Sequence, residues 1–144
     1  ASDTPTVTLV NDIPVIDVIA TTVVENTAVA GTVVGNFTAS DEETLRADLK
    51  VTFTGDSNKD GYYAISGDTV VLTLAGADFV NAGNKLPAID LTVTDADKGS
   101  SHASDTPTVT LVNDIPVIDV IATTVVENTA VAGTVVGNFT ASDD

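Results

Sequence analysis

The chain contains no cysteine, no methionine and no tryptophan, and aromatic residues make up only 4% of its 144 positions. Without cysteine it has neither disulfides nor thiolate metal ligands, and no cysteine nucleophile. Bases are scarce as well: five Lys and Arg stand against twenty-one Asp and Glu, for a net charge of -16 at pH 7. Such a surface repels nucleic acid and anionic membranes, so neither is expected as a partner. No apolar run is long enough to span a membrane as a helix, so no membrane insertion is expected. Phosphate-binding glycine loops and serine-elbow motifs are missing too, and the single histidine, His102, lies in the polar run "KGSSHASD", read as a solvated loop. Neither an enzyme nor a small-molecule substrate is therefore expected. What the chain does have is a surplus of carboxylates, which suits hard cations such as calcium.

It also repeats itself. Residues 1–41 and 103–143 match letter for letter, and the match breaks at Glu42 against Asp144. The period of 102 residues is domain-sized, unlike the short periods of solenoids and propellers. Seven strand-like runs fill one period: Val15–Val24, Thr32–Ala39, Leu49–Thr54, Tyr62–Ser66, Thr69–Leu74, Ala88–Thr94 and Thr106–Val112. Val33, Phe37 and Ala39 are expected on one face of the second, and Ile89, Leu91 and Val93 on one face of the sixth. One apolar face per strand and short connections predict an all-β fold, an antiparallel Greek-key β-sandwich of immunoglobulin-like type with seven strands per repeat. The only helical signal is "SDEETLRAD", where Ser40 and Glu43 have capping-box spacing. The repeat is expected to run from 13 to 114, with residues 1–12 as the last strand of a preceding repeat and 115–144 as the first two strands of a following one. The linker is then Asn11-Asp12-Ile13-Pro14, short and stiffened by Pro14.

In such a sandwich the acids fall at the strand ends. Asp41, Glu42 and Glu43 follow the second strand, and Asp95 and Asp97 follow the sixth. Of these, Asp41, Glu42, Asp95 and Asp97 are expected to converge with Asn11 and Asp12 of the linker at the upper end of the repeat. Glu25, Asn113, Asp114 and Asp143, with Asp144 beside it, are expected at the lower junction. Carboxylates so gathered repel one another unless protonated or bound to cations, and calcium takes six to eight oxygens. A single acid of this set, read alone, is an ordinary solvated turn residue, and Asp41 has a rival role near a helix cap. Within the repeat, "GDSNKDGYY" sets Asp56, Asn58, Asp60 and Gly61 at the first, third, fifth and sixth positions of an EF-hand-like loop. It lacks the bidentate Glu, and a plain polar hairpin turn fits equally. Asp17 and Asp119 read as solvent-facing strand positions, and the Asn36-Phe37-Thr38 sequon lies mid-strand.

"VVENTAVAGTVVGNFTASDEE" resembles the cadherin-type order of a Glu-Asn pair, Gly-Thr-Val-Val and Ala-x-Asp with further acids. "AIDLTVTDADKG" followed by "TPTVTLVNDIPV" resembles the end of such a domain. The near-identical, cysteine-free, acidic repeats look most like extender repeats of giant bacterial repeats-in-toxin (RTX) adhesins of the biofilm or ice-binding type. The sequence departs from animal cadherins in its short "VNDIP" linker and in lacking a Leu-Asp-Arg-Glu motif. The resemblance implies an extracellular spacer on a bacterial surface whose partners are neighbouring repeats, joined through junctions that bind Ca2+. By matched position it points to Glu25, Asp41, Asp95, Asp97, Asp12 and Asp114 as ligands. The alternative function is an adhesion module that itself contacts a carbohydrate, a surface or a like molecule.

Overall fold

The computed structural model describes residues 1–8 and 10–143, so the expectation for Asp144 lies outside the described residues. The chain folds as two compact units, Ala1–Leu111 and Val112–Asp144.

The first unit is built from strands β1 (Val15–Ala20), β2 (Thr22–Val24), β3 (Val33–Ser40), β4 (Lys50–Phe53), β5 (Tyr63–Ser66) and β6 (Thr69–Leu72). Helix α1 (Leu74–Asn81) follows, then β7 (Ile89–Thr94), β8 (Ser100–Asp105) and β9 (Thr108–Thr110). One sheet has the order β1-β3-β6-β5 and the other β4-β7-β8, all neighbours antiparallel, while β2 pairs with β9 in parallel. This is the expected all-β sandwich. Between its layers lie Val34, Val70, Val80, Ile89, Leu91 and Val93, all fully shielded from solvent, with Phe37, Leu72, Tyr63 and Leu49 around them. The chain changes sheets at Thr21, whose N–H donates to Val34 of one sheet while its carbonyl accepts from Thr108 beside the other.

Four local expectations are corrected. Val15–Val24 is two strands, because the change of sheet at Thr21 interrupts the first. A register shift between Val33 and Gly35 turns Val33 outward and puts Val34 in the core beside Phe37 and Ala39. The seventh strand begins earlier than expected, as β8 through Ser100–Asp105, breaks before Pro107, and resumes as β9. His102 is therefore on a strand; its side chain is exposed and its Nδ1 lies 3.3 Å from Asp90 Oδ1. Small polar residues carry no apolar alternation, and this strand is recruited by its neighbour β7. Finally, "TLAGADFVNAG" forms α1, capped by the Thr73 hydroxyl, which accepts from the N–H of Gly76. The stretch around Ser40 and Glu43 gives instead one 3-10 turn at Arg46–Asp48, with Ser40 still in β3.

The second unit is a hairpin of β10 (Val117–Ala122) and β11 (Gly137–Ser142), which repeats the β1–β3 pairing residue for residue. Residues 1–8 and 10–14 form no strand.

The duplicated sequence offers an internal control on packing. Phe37 is 3% exposed and its repeat counterpart Phe139 is 73% exposed. In urea unfolding followed by tyrosine fluorescence, which reports the first unit through Tyr62 and Tyr63, Phe37→Ala should cost about 3–5 kcal/mol. Phe139→Ala should change that transition by no more than about 0.5 kcal/mol. Equal effects would contradict the burial described here.

Candidate metal centre

Strand pairing dictates where the acids meet. β1 and β3 run antiparallel with Val15 opposite Ser40, so the linker before β1 lies beside the residues that leave β3. β4, β7 and β8 bring Lys50, Thr94 and Ser100 into line, so the turn after β7 opens at the end of its own sheet. Two bonds tie that turn to the linker: Asn11 Nδ2 donates to Asp95 Oδ2 at 3.2 Å, and the Ser101 hydroxyl donates to the Pro14 carbonyl at 2.6 Å. Pro14 itself is fully buried, so the linker is anchored where it enters β1.

At this end the carboxylates of Asp12, Glu42 and Glu43 each bring one oxygen within 4.8 Å of the others. A cleft of about 300 Å3 beside them is lined by Asp12, Ile13, Val15, Ser40, Asp41 and Glu42. Both oxygens of Asp41 are buried and neither has a hydrogen-bond partner. A buried carboxylate without donors is costly, because it has left water and gained nothing in return. Glu42 carries the electrostatic signature of the crowding. A hydrogen bond with Asp12 and then the charge of Asp12 hold its carboxyl above the ordinary value of 4.5, with smaller contributions from Glu43, burial and Asp41.

Asp95 is placed differently. It is 5% exposed, and its Oδ1 accepts from the N–H groups of Asp97 at 2.9 Å and Gly99 at 2.7 Å, while Oδ2 takes the Asn11 amide. A Cβ at position 99 would lie 2.8 Å from Asp95 Oδ2, so a side chain there would push against this hydrogen-bonded carboxylate. Asp95 thus braces the turn and has lone-pair capacity to spare. Asp97 is exposed on the same turn and is not one of the three acids that meet.

The remaining candidates are spread out. Glu25 follows β2 at the opposite end of the first unit and is 2% exposed; its N–H donates to Thr110, and a Cβ at Gly83 would lie 3.0 Å from its Oε2. Gly83 has φ +88 and closes α1, so a side chain there would be strained by the backbone and would press on Glu25. Asn113, Asp114 and Asp143 belong to the second unit. In the Asp56–Asp60 loop, Asn58 exchanges two hydrogen bonds with the backbone of Tyr63, its Oδ1 accepting from the N–H and its Nδ2 donating to the carbonyl. That side chain is spent on holding the turn, and Asp56 and Asp60 are exposed. Glu43 is the member of the cluster that sequence reasoning delivered to this end without naming it as a ligand. The signal was its position in a run of three acids at a strand exit.

The donor set fits a hard cation. Asp12, Asp41, Glu42 and Glu43 offer two carboxylate oxygens each, and the group has no basic partner among its described contacts. Oxygen donors of this number and flexibility match calcium; soft or imidazole-loving metals would find no Cys and no His here.

No protein-family model and no curated protein matches the chain. Solved structures do. Protocadherin gamma B7 extracellular cadherin domains 1–4 match at TM-score 0.58 and 24% identity over 91% of this chain. Protocadherin gamma B2 extracellular cadherin domains 3–6 match at 0.53 and 20% over 90%, and the protocadherin gamma B7 EC3–6 cis-dimer at 0.52 and 22% over 92%. The chain spans about a third of the length of each, 32%, 30% and 32%. The fold is thus that of a cadherin-like β-sandwich.

The raised Glu42 carboxyl has a pH consequence. It holds its proton more tightly in the fold than in the unfolded chain, so its contribution favours the fold below the ordinary value of 4.5 and is lost as pH rises through the folded value. In chelator, the melting temperature should decline as pH is raised from 4.5 toward neutrality. Glu42→Gln should flatten that decline. Circular dichroism melts across the range check this; identical slopes in both proteins would dismiss it.

Proposed function

We propose that the chain is a calcium-rigidified extender repeat of a large cell-surface adhesin of the bacterial RTX type, a spacer that holds a distal binding domain away from the cell. The observation that carries the reading is the Asp41 carboxylate, with both oxygens buried and unbonded beside the Asp12, Glu42 and Glu43 cluster. A divalent cation there would answer both the lost hydration of Asp41 and the crowding on Glu42, whose carboxyl is raised first by its hydrogen bond with Asp12 and then by the charge of Asp12. Asp12, Asp41, Glu42 and Glu43 would hold the ion, with Asn11 and Asp95 fixing the linker and Asp97 on the rim. The duplicated Asn113, Asp114 and Asp143 are the same elements in the next copy, and Glu25 is the acid that a repeat brings from its other end.

Repetition itself favours a spacer: projecting a tip needs length, and identical units supply it without any unique surface. The likeness to structures named as extracellular cadherin domains supports an extracellular adhesion-type role. The bacterial surface rests on the resemblance of the acidic, cysteine-free repeat to RTX extender repeats. Chemistry at a catalytic centre is no part of this proposal.

Calcium acts here by linkage. An ion that binds only the folded end stabilises it by RT ln(1 + [L]/Kd), about 2.7 kcal/mol at a hundredfold excess over Kd. For a unit of this size that corresponds to roughly 10–20 °C in melting temperature. Extracellular sites with Kd of about 10⁻⁴–10⁻³ M are filled at the millimolar calcium found outside cells.

Calorimetric titration with calcium tests the site. Asp41→Asn should weaken binding at least tenfold and, in chelator, should raise stability by relieving the unbonded charge; Asp97→Asn should change affinity less than threefold. Unaltered affinity in Asp41→Asn would sink the proposed centre. For the spacer role, X-ray scattering from a chain of several repeats should show the maximum dimension shrinking when calcium is chelated. An unchanged dimension would dismiss rigidification.

A further inference from the structure

Asp41, Glu42 and Glu43 ride on a segment that the core supports only lightly. Residues 41–49 cross from β3 in one sheet to β4 in the other, and residues 39–46 line a second cleft of about 310 Å3. Leu45 is 75% exposed. The segment's regular structure is the single 3-10 turn, where the Asp48 N–H donates to the Leu45 carbonyl at 2.9 Å and the Leu49 N–H to the Arg46 carbonyl at 3.2 Å. Thr44 is buried, yet its hydroxyl accepts the Ala96 N–H only at 3.5 Å, the outer limit of a hydrogen bond. The three acids repel one another and Asp12, which pushes the segment that carries them outward.

Arg46 supplies a firmer tie. Its guanidinium carbon stands 5.8 Å from the centroid of the Phe37 ring, and its Nη2 donates to Asp68 Oδ1 at 2.5 Å. Asp68 lies in the turn between β5 and β6 and is itself held to β3, since its carbonyl accepts the Phe37 N–H at 3.0 Å. Phe37 belongs to the core, so the grip reaches from the loose segment to the body of the sandwich. A planar guanidinium suits both contacts, the ring face and the carboxylate. The pair is open to water, with side chains 40% and 63% exposed, so it adds little to global stability. Its effect is local. Arg46 lines the same cleft as Asp41, Glu42 and Glu43, yet its described ion pair is with Asp68, which leaves those carboxylates to another cation.

We infer that Arg46 is the positioning residue of the acidic end: by gripping Asp68 and the face of Phe37, it holds residues 41–49 where Asp41, Glu42 and Glu43 can meet one ion together with Asp12. The inference rests on the calcium reading of this end, and Arg46 itself touches no ion. Its sign is opposite to that of simple electrostatics. A base beside a cation site opposes binding, so charge alone predicts tighter binding once Arg46 is gone. Loss of the grip predicts weaker binding.

Calorimetric titration of the whole chain with calcium chloride separates the two. Arg46→Gln should bind calcium about three- to tenfold more weakly. Asp68→Ala should lose about as much, and the double variant no more than either single one, because the two groups act as one tie. In chelator, tyrosine-monitored melts of the three variants should stay within a few degrees of the unaltered chain, while the amides of Asp48 and Leu49 should exchange hydrogen several-fold faster. Binding by Arg46→Gln as tight as that of the unaltered chain, or tighter, overturns the inference and leaves the calcium site standing; so do losses that add in the double variant, or unchanged exchange. A large drop in the melts would make the pair an anchor of the whole fold, which overturns it too. If the unaltered chain binds no calcium, the cation reading of this end falls first and the inference with it.

Discussion

Electrostatic repulsion among carboxylates at one end of the first unit is the constraint on which the arrangement turns. The pairing of Val15 with Ser40 leaves the chain no freedom to separate Asp12 from Asp41 and Glu42, because both strands are anchored by core side chains such as Ile16, Val18, Phe37 and Ala39. Pro14 is buried and its carbonyl is held by Ser101, so the linker cannot swing the charge away. Glu43 and the exposed part of Glu42 can relax into water, and a proton on Glu42 relieves part of the strain. Asp41 is less open to water. Its two oxygens are enclosed, and in a medium of reduced dielectric its repulsion from its neighbours is larger than at the surface. The fold tolerates this through the apolar contacts between its sheets, which makes the acidic end a place where the local preference of the residues and the global fold conflict. Conflicts of that kind are expected at sites that bind something.

Much of the sandwich was legible because half-buried strands alternate. Leu49, Val51 and Phe53, and Ile89, Leu91 and Val93, show the period of two without interruption, and both fall where the pattern put them. Legibility failed where the pattern of one strand does not hold the reason for its shape. β8 has small polar residues and a histidine, and it is a strand because β7 needs a neighbour. α1 was readable in principle: Thr73 as cap, Leu74, Ala77 and Val80 at helical spacing, and Gly83 just beyond the end. The Val and Leu run before it masked those signals. At the site, the clustering of Asp12 and Glu42 followed from strand direction alone. That Asp95 would also brace its own turn, and that Asn58 would be held by Tyr63, depended on backbone geometry that composition does not disclose.

The duplicated segments show how little of a strand's identity is local. "VIDVIA" is a strand in both copies, because its antiparallel partner lies a short loop away in each. "TVV" is a strand at 22–24 and none at 124–126, and "TVT" is a strand at 108–110 and none at 6–8. These two segments pair with each other, across a large separation in sequence, so each exists as a strand only when the other is within reach. Near-neighbour pairing thus survives in isolation, while long-range pairing depends on the completed sandwich.

That asymmetry bears on how a tandem array holds together. In the first unit the closing strand lies against the opening one, and the Asn11–Pro14 linker is pinned at the same end as the carboxylates. The least locally determined part of the fold, the late strand that must find β2 and β7, therefore leads directly into the next linker and its acids. Under the proposed function, an ion bound at the acidic end would restrain the start of a repeat, where Asn11 and Pro14 are already held. The duplicated residues are thus the ones through which the proposed spacer would have to pass order from one repeat to the next.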